Sequence, residues 1–226
     1  MKAILFDFGG TIDTDGVHWS EKFCDLYARF RPDVGRRDVE RSFVESEQML
    51  LADPELPRLT FEETLARQLR LQFGILRLPL SQGLLDDMSR ACYADVVTTT
   101  GKARAVLARL HSRYRLGVVS NFYGNLEIVC REFGMETLFS VFIDSAVVGV
   151  RKPDPRIFSL ALDSLKVAAA ETFVVGDSYD RDIVPGKQLG CSTIWLKGKS
   201  WNAPTFTGAA DRTIGRFDEI QEIFLH

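Results

Sequence analysis

Past Gly101 the chain repeats one unit, a short apolar run followed by a stretch with helical spacing, and this alternation constrains the fold more than any other feature. The runs are Leu116 to Val119, Val141 to Asp144, Thr172 to Val175 and Thr193 to Leu196. Helical stretches stand between them near Asn125 to Phe133, from Pro155 and near Asp182. Apolar runs of strand length that alternate with helices predict a doubly wound, parallel α/β sheet, with each strand covered on both faces. Ala3 to Phe6 has the same character and adds a strand at the start of the chain. The last segment, Phe217 to Leu225, carries Ile220, Ile223 and Phe224 at helical spacing and reads as a closing helix.

Between about Asp15 and Thr100 the period changes. Phe23, Leu26, Tyr27 and Phe30, and later Leu65, Leu69 and Phe73, recur at helical spacing. Ser20 reads as an N-cap, Thr60-Phe61-Glu62-Glu63 as a capping box, Gly74 as a helix stop and Ser81 as the start of a segment carrying Leu84, Leu85, Met88 and Cys92. A helix from about Arg37 to Leu51 ends before Pro54 and Pro57. The expected organisation is an all-helical insert over residues 15–100 in an α/β core made of residues 1–14 and 101–226.

With 226 residues, 46% of them hydrophobic, the chain can bury one sizeable core and a small appended domain. A net charge of −3 supplies no basic field for a nucleic-acid backbone. Cys24, Cys92, Cys130 and Cys191 are far apart in sequence and form no zinc pattern, so they read as buried thiols of a reducing compartment. Met1 to Asp7 reads as a strand rather than a secretory leader, and no apolar run approaches about 18 residues. A cytoplasmic protein that touches no membrane is expected, as a monomer or homodimer.

The chemistry stands at the carboxyl ends of the strands, where open α/β sheets form their ligand crevice. Asp7-Phe8-Gly9-Gly10-Thr11-Ile12-Asp13 places a carboxylate at a strand end before a glycine loop whose N–H groups can face a phosphate. The same residues could form an ordinary turn. Ser120-Asn121 ends the second strand, where a hydroxyl suits a phosphate oxygen or a helix cap. Arg151-Lys152-Pro153-Asp154-Pro155 sets a lysine in a rigid frame ahead of a helix. Gly176-Asp177-Ser178, with Asp182 in the next turn, adds two carboxylates that would repel Asp7 unless a cation sat among them. Oxygen-only ligands favour Mg²⁺.

This ordered set resembles motifs one to four of the haloacid-dehalogenase (HAD) hydrolase superfamily and covers essentially the whole chain, and the insert resembles that family's helical C1 cap. The resemblance implies a Rossmann-like core and a Mg²⁺-dependent phosphatase of small phosphorylated metabolites. Asp7 would attack phosphorus and form an aspartyl-phosphate. Ser120, Lys152 and the N–H groups of Phe8, Gly9 and Asn121 would hold the phosphoryl oxygens. The metal would be bound by Asp7, the carbonyl of Gly9, Asp177 and Asp182. One departure stands out: the family's phosphatases carry a second Asp two residues after the nucleophile as general acid and base, and that position is Gly9 here.

The departure leaves three readings. The first is a phosphatase that acts on esters with a good leaving group or recruits another acid, with Asp13, Asp15 and a cap residue as candidates. The second is a catalytically weak or inactive protein that retains phosphate and Mg²⁺ binding. The third is another chemistry of the superfamily. Dehalogenases resemble a metal-free pattern that Asp177 does not fit, and phosphonate cleavage would need a cap lysine, for which Lys22 alone is present. His18 and His111 have no partner at telling spacing, Trp19 reads as a helix staple, and Tyr179, Asp180 and Arg181, inside the fourth motif, read as exposed loop residues that could touch substrate.

Overall fold

The computed structural model describes residues 2–200 and 208–225. Among these residues, six parallel strands form one sheet in the order β3-β2-β1-β4-β5-β6. The strands are β1 (Ala3–Phe6), β2 (Arg115–Ser120), β3 (Val141–Asp144), β4 (Thr172–Gly176), β5 (Ser192–Leu196) and β6 (Arg212–Ile214). The five apolar runs expected from sequence are the first five strands. All four residues of β1 are buried, as a central strand covered by helices on both faces requires. The register pairs Phe6 with Val118 on one side and Val175 on the other. It therefore brings Asp7, Ser120 and Gly176 to one edge of the sheet.

The insert supplies α1 (Trp19–Phe30), α2 (Arg36–Leu51), α3 (Phe61–Ile75) and the first part of α4 (Gln82–His111). The core adds α5 (Leu126–Glu132), α6 (Ser145–Val148), α7 (Arg156–Leu165), α8 (Val184–Gln188) and α9 (Ile220–Phe224). The capping box of α3 is present: the Thr60 hydroxyl accepts from the Glu63 N–H, and the Glu63 carboxylate accepts from the Thr60 N–H. At α1 the cap differs from expectation. Nδ1 of His18, not Ser20, accepts the first orphan N–H, that of Ser20, at 3.2 Å.

Helix α4 runs straight through Gly101, so the expected division between insert and core falls inside one helix of 30 residues. A helical glycine costs about 1 kcal/mol relative to alanine. Packing of Val96, Thr100, Ala103 and Leu107, all buried on the same helix, outweighs that cost. One apolar cluster accordingly runs from Phe23, Tyr27 and Leu69 in the insert through Leu107 and Leu110 to Ile4 and Phe6 in the sheet.

Leu69 is fully buried in this cluster. Leu69→Ala should lower unfolding free energy by about 2 to 5 kcal/mol through lost transfer energy and the cavity left behind, read as a shift of the urea midpoint at unchanged slope.

Candidate active site

Asp7 follows β1 directly and is 5% exposed. Its Oδ1 accepts from Ser120 Oγ at 2.9 Å and from Lys152 Nζ at 2.5 Å. The same ammonium donates to Asp182 Oδ1 at 2.6 Å and to the Val119 carbonyl at 3.1 Å. Three donor bonds exhaust an ammonium, so Lys152 is fixed between two carboxylates and a strand end. Its loop is held in turn by Asn121, whose Oδ1 accepts the Lys152 N–H at 2.8 Å and whose Nδ2 donates to the Lys152 carbonyl at 3.0 Å. Burial alone would lower the pKa of Lys152, but Asp182 and Asp7 outweigh it and raise it above the ordinary lysine value.

Asp177 stands after β4. Its N–H donates to Thr11 Oγ1 at 3.0 Å, and that hydroxyl lies 3.2 Å from Asp177 Oδ1 and 3.4 Å from Asp7 Oδ2. Thr11 thus joins the first and fourth motifs, a role its sequence position alone did not reveal. Oxygen atoms of Asp7, Asp177 and Asp182 all lie within 4.8 Å of one another. Burial and the charges of Asp7 and Asp182 push Asp177 well above the usual carboxylate range, and burial brings Asp182 up to about 6 against the pull of Lys152. Three carboxylates facing one ammonium form a hard, oxygen-only donor set that a divalent cation fits.

Two glycines let these groups meet. Gly10 has φ +94°, and a β-carbon there would lie 2.4 Å from Asp177 Oδ2. At Gly176 a β-carbon would lie 2.3 Å from Asp182 Oδ2. Both positions exclude any side chain. Among the described residues, no protein acceptor takes the N–H of Phe8, Gly9 or Asn121, so the three donors expected to face a phosphate are unspent beside Asp7.

The site opens into a cavity of about 560 Å³ between sheet edge and insert, lined by Asp7, Gly9, Ser120, Asn121, Lys152, Asp177 and Asp182. From the insert side come Phe43, Glu47, Phe61 and Gln68, and from the core Tyr123, Arg151 and Arg181. Glu47 accepts from the hydroxyl of Tyr123 and from Gln68 Nε2.

Several expectations change here. Trp19 does more than staple a helix: it lines the cavity, and its Nε1 donates to Asp13 Oδ2 at 2.8 Å. Of the candidate acids, Asp13 reaches the cavity, whereas Oδ1 of Asp15 accepts from the Phe217 N–H at 2.6 Å. Tyr179 is buried against Trp195 rather than exposed. His18 lines the cavity as well as capping α1, and burial with the charge of Arg181 lowers it to about 4. Lys22 pairs with Asp95, another residue of the insert.

A family model of the haloacid dehalogenase-like hydrolases matches residues 1–190. The chain is 34% identical over 110 residues to haloacid dehalogenase-like hydrolase domain-containing protein 3 of Danio rerio, a match covering 49% of this chain and 46% of that protein. It is 39% identical over 98 residues to glyceraldehyde 3-phosphate phosphatase of Pyrococcus abyssi, covering 42% and 41%. The matched stretch thus spans less than half the length of either relative. The HAD-hydrolase YfnB of Bacillus subtilis, solved bound to magnesium, shares the fold with a TM-score of 0.60 and 18% identity over 100% of this chain and 99% of that one.

Asp15 adopts φ 54° and holds the start of the C-terminal helical segment. Asp15→Ala should cost about 1 to 2 kcal/mol of stability through the lost bond and the strained backbone, seen as a lower Tm, with kcat unchanged in any assay that detects turnover. Gly10→Ala should displace Asp177 and remove turnover while helical content by circular dichroism stays native.

Proposed function

Since the chain belongs to the haloacid dehalogenase-like hydrolases, we propose that it is a Mg²⁺-dependent phosphatase of small phosphorylated metabolites, with Asp7 as nucleophile. The observation that carries this reading is the buried Asp7 carboxylate, held on one oxygen by Ser120 and Lys152 with two further carboxylates alongside. A carboxylate fixed in that way presents a defined lone pair to a phosphorus atom and loses little freedom on reacting.

Asp7 attacks the phosphorus and forms an aspartyl-phosphate, which water then hydrolyses. The N–H groups of Phe8, Gly9 and Asn121 bind the phosphoryl oxygens, and the Ser120 hydroxyl and Lys152 turn toward them from Asp7 as its carboxylate charge passes into the new bond, opposing the charge that builds up during transfer. Asp7, Asp177, Asp182 and the Gly9 carbonyl would hold Mg²⁺, which supplies further charge neutralisation when bound. Thr11 orients Asp7 and Asp177 toward the same point.

Residues 15–100 act in this reading as a lid over the core. Helix α2 carries Glu47, and α3 carries Gln68, to the cavity lining, where Glu47 feels the charges of Arg151 and Arg181. The leaving group therefore meets a mixed wall, with Phe43 and Phe61 beside Glu47 and Gln68. About 560 Å³ suits a metabolite rather than a macromolecule. Among the described residues, no helix is long and apolar enough to cross a membrane.

Phosphate release from a panel of phosphorylated sugars, amino acids and short carbon acids tests the reading. Turnover should require Mg²⁺, fall to background in Asp7→Asn and fall by at least about 10²-fold in Lys152→Met. Mg²⁺ at about 100 times its Kd should also stabilise the native fold by about 2.7 kcal/mol, visible as a rise in Tm. Asp177→Asn should abolish that rise. Native turnover that survives Asp7→Asn contradicts the proposal.

A further inference from the structure

Residue 9 has no side chain, and an indole lies at contact distance from where one would begin. A β-carbon on Gly9 would lie 3.8 Å from Cδ1 and 3.9 Å from Nε1 of Trp19. That Nε1 donates to Asp13 Oδ2 at 2.8 Å, and Asp13 Oδ1 accepts the Gly10 N–H at 2.7 Å. Asp13, Trp19 and Asp7 line one cavity. The indole that a side chain on residue 9 would meet is thus the one that holds the Asp13 carboxylate, in the cavity that Asp7 also lines.

We propose that Asp13, positioned by Trp19, is the general acid and base of this site and supplies what the glycine at residue 9 cannot. The inference rests on the phosphoryl-transfer reading of Asp7. In the first step an Asp7 oxygen bonds to phosphorus, the P–O bond to the leaving group breaks, and the Asp13 carboxyl proton passes to the departing oxygen, which leaves as an alcohol. In the second step the Asp13 carboxylate takes a proton from water as the water oxygen bonds to phosphorus. The P–O bond to Asp7 breaks, inorganic phosphate forms, and both side chains return to their starting states.

Asp15 caps the chain at Phe217. Glu47 lines the same cavity and is also raised by burial, but the charges acting on it are those of Arg151 and Arg181, whereas Asp13 feels the charge of Asp7 itself. His18, lowered to about 4, carries no proton to donate at neutral pH. Burial brings Asp13 up to about 7, against the pull of the Trp19 and Gly10 bonds and with an upward push from Asp7. It therefore exchanges its proton near neutral pH, where a general acid and base works best. The ionisable groups that face it are Asp7 after β1, Asp177 after β4, Tyr123 after β2 and Cys92 on α4.

The experiment compares two probes, glycerol phosphate, whose alkoxide needs a proton to leave, and p-nitrophenyl phosphate, whose phenolate does not. In the native protein, kcat/KM for glycerol phosphate should fall as pH rises through about 7, because the acid must be protonated for the first step. Asp13→Asn should lower this value by about 10²- to 10⁴-fold and remove the falling limb, while p-nitrophenyl phosphate loses no more than about tenfold. Trp19→Phe keeps the ring and removes a bond that favours the carboxylate, so it should move the limb to higher pH.

Equal losses on the two esters in Asp13→Asn, an unchanged limb, or a native protein that turns over only the nitrophenyl ester would overturn the assignment and leave Asp7 as nucleophile. Native protein inactive on both esters, with no phosphate transferred to Asp7, would remove the phosphatase reading and this one together.

Discussion

The arrangement depends on one buried ammonium. Lys152 holds Asp7 and Asp182 together through bonds of 2.5 and 2.6 Å, at a sheet edge where water contributes little screening. Without it, two carboxylates would lie side by side with nothing to offset their repulsion, and removing one partner of a buried ion pair typically costs about 3 to 5 kcal/mol. The sheet is built to deliver this contact. Parallel register ends β1, β2 and β4 at one level, and Asn121 fixes the Lys152 backbone by two hydrogen bonds. Gly10 and Gly176 remove the side chains that would stand between the acids. Stability is given up locally so that negative charge gathers at one point, in a donor set that a divalent cation fits.

The segment between β1 and α1 couples the site to the insert. Gly10 and Asp13 meet by a hydrogen bond, Trp19 opens α1, and His18 caps it. The hinge and helices of the insert thus supply one part of the cavity lining, with Trp19, Phe43, Glu47 and Gln68, and the strand ends and loops of the core supply the rest. Sheet and insert both line the cavity, and α4 ties them to one apolar cluster.

The strands that carry the site were legible because each is a short apolar run that stops at a polar residue. Strand β6 escaped notice because Arg212 and Thr213 are exposed and only Ile214 is buried, which leaves no apolar run to find. The cap of α1 was misplaced by two residues: serine is the stronger N-cap by residue type, but His18 offers Nδ1 to the Ser20 N–H. Gly101 looked like a boundary, yet a β-carbon there would meet nothing within 4 Å. It lies on the exposed face of a helix whose other side is packed. Asp7, Ser120 and Asp177 were legible because each stands at or just after a strand end and Lys152 because it opens a turn, whereas Asp182 lies within the helical turn Tyr179–Ile183, and the roles of all five came with the resemblance to the family's motifs. The contacts of Trp19 with Asp13 and of Thr11 with Asp177 depend on how loops fold back, and no period encodes that.

The account is tested most directly by trapping the intermediate. Protein quenched during turnover with Mg²⁺ and a hydrolysed ester, then reduced with borohydride and digested, should contain homoserine at position 7 by mass spectrometry, because an acyl phosphate is reduced where a free carboxylate is not. Turnover at the same rate with Asp7 unmodified, or with the reduced residue at another position, would contradict it.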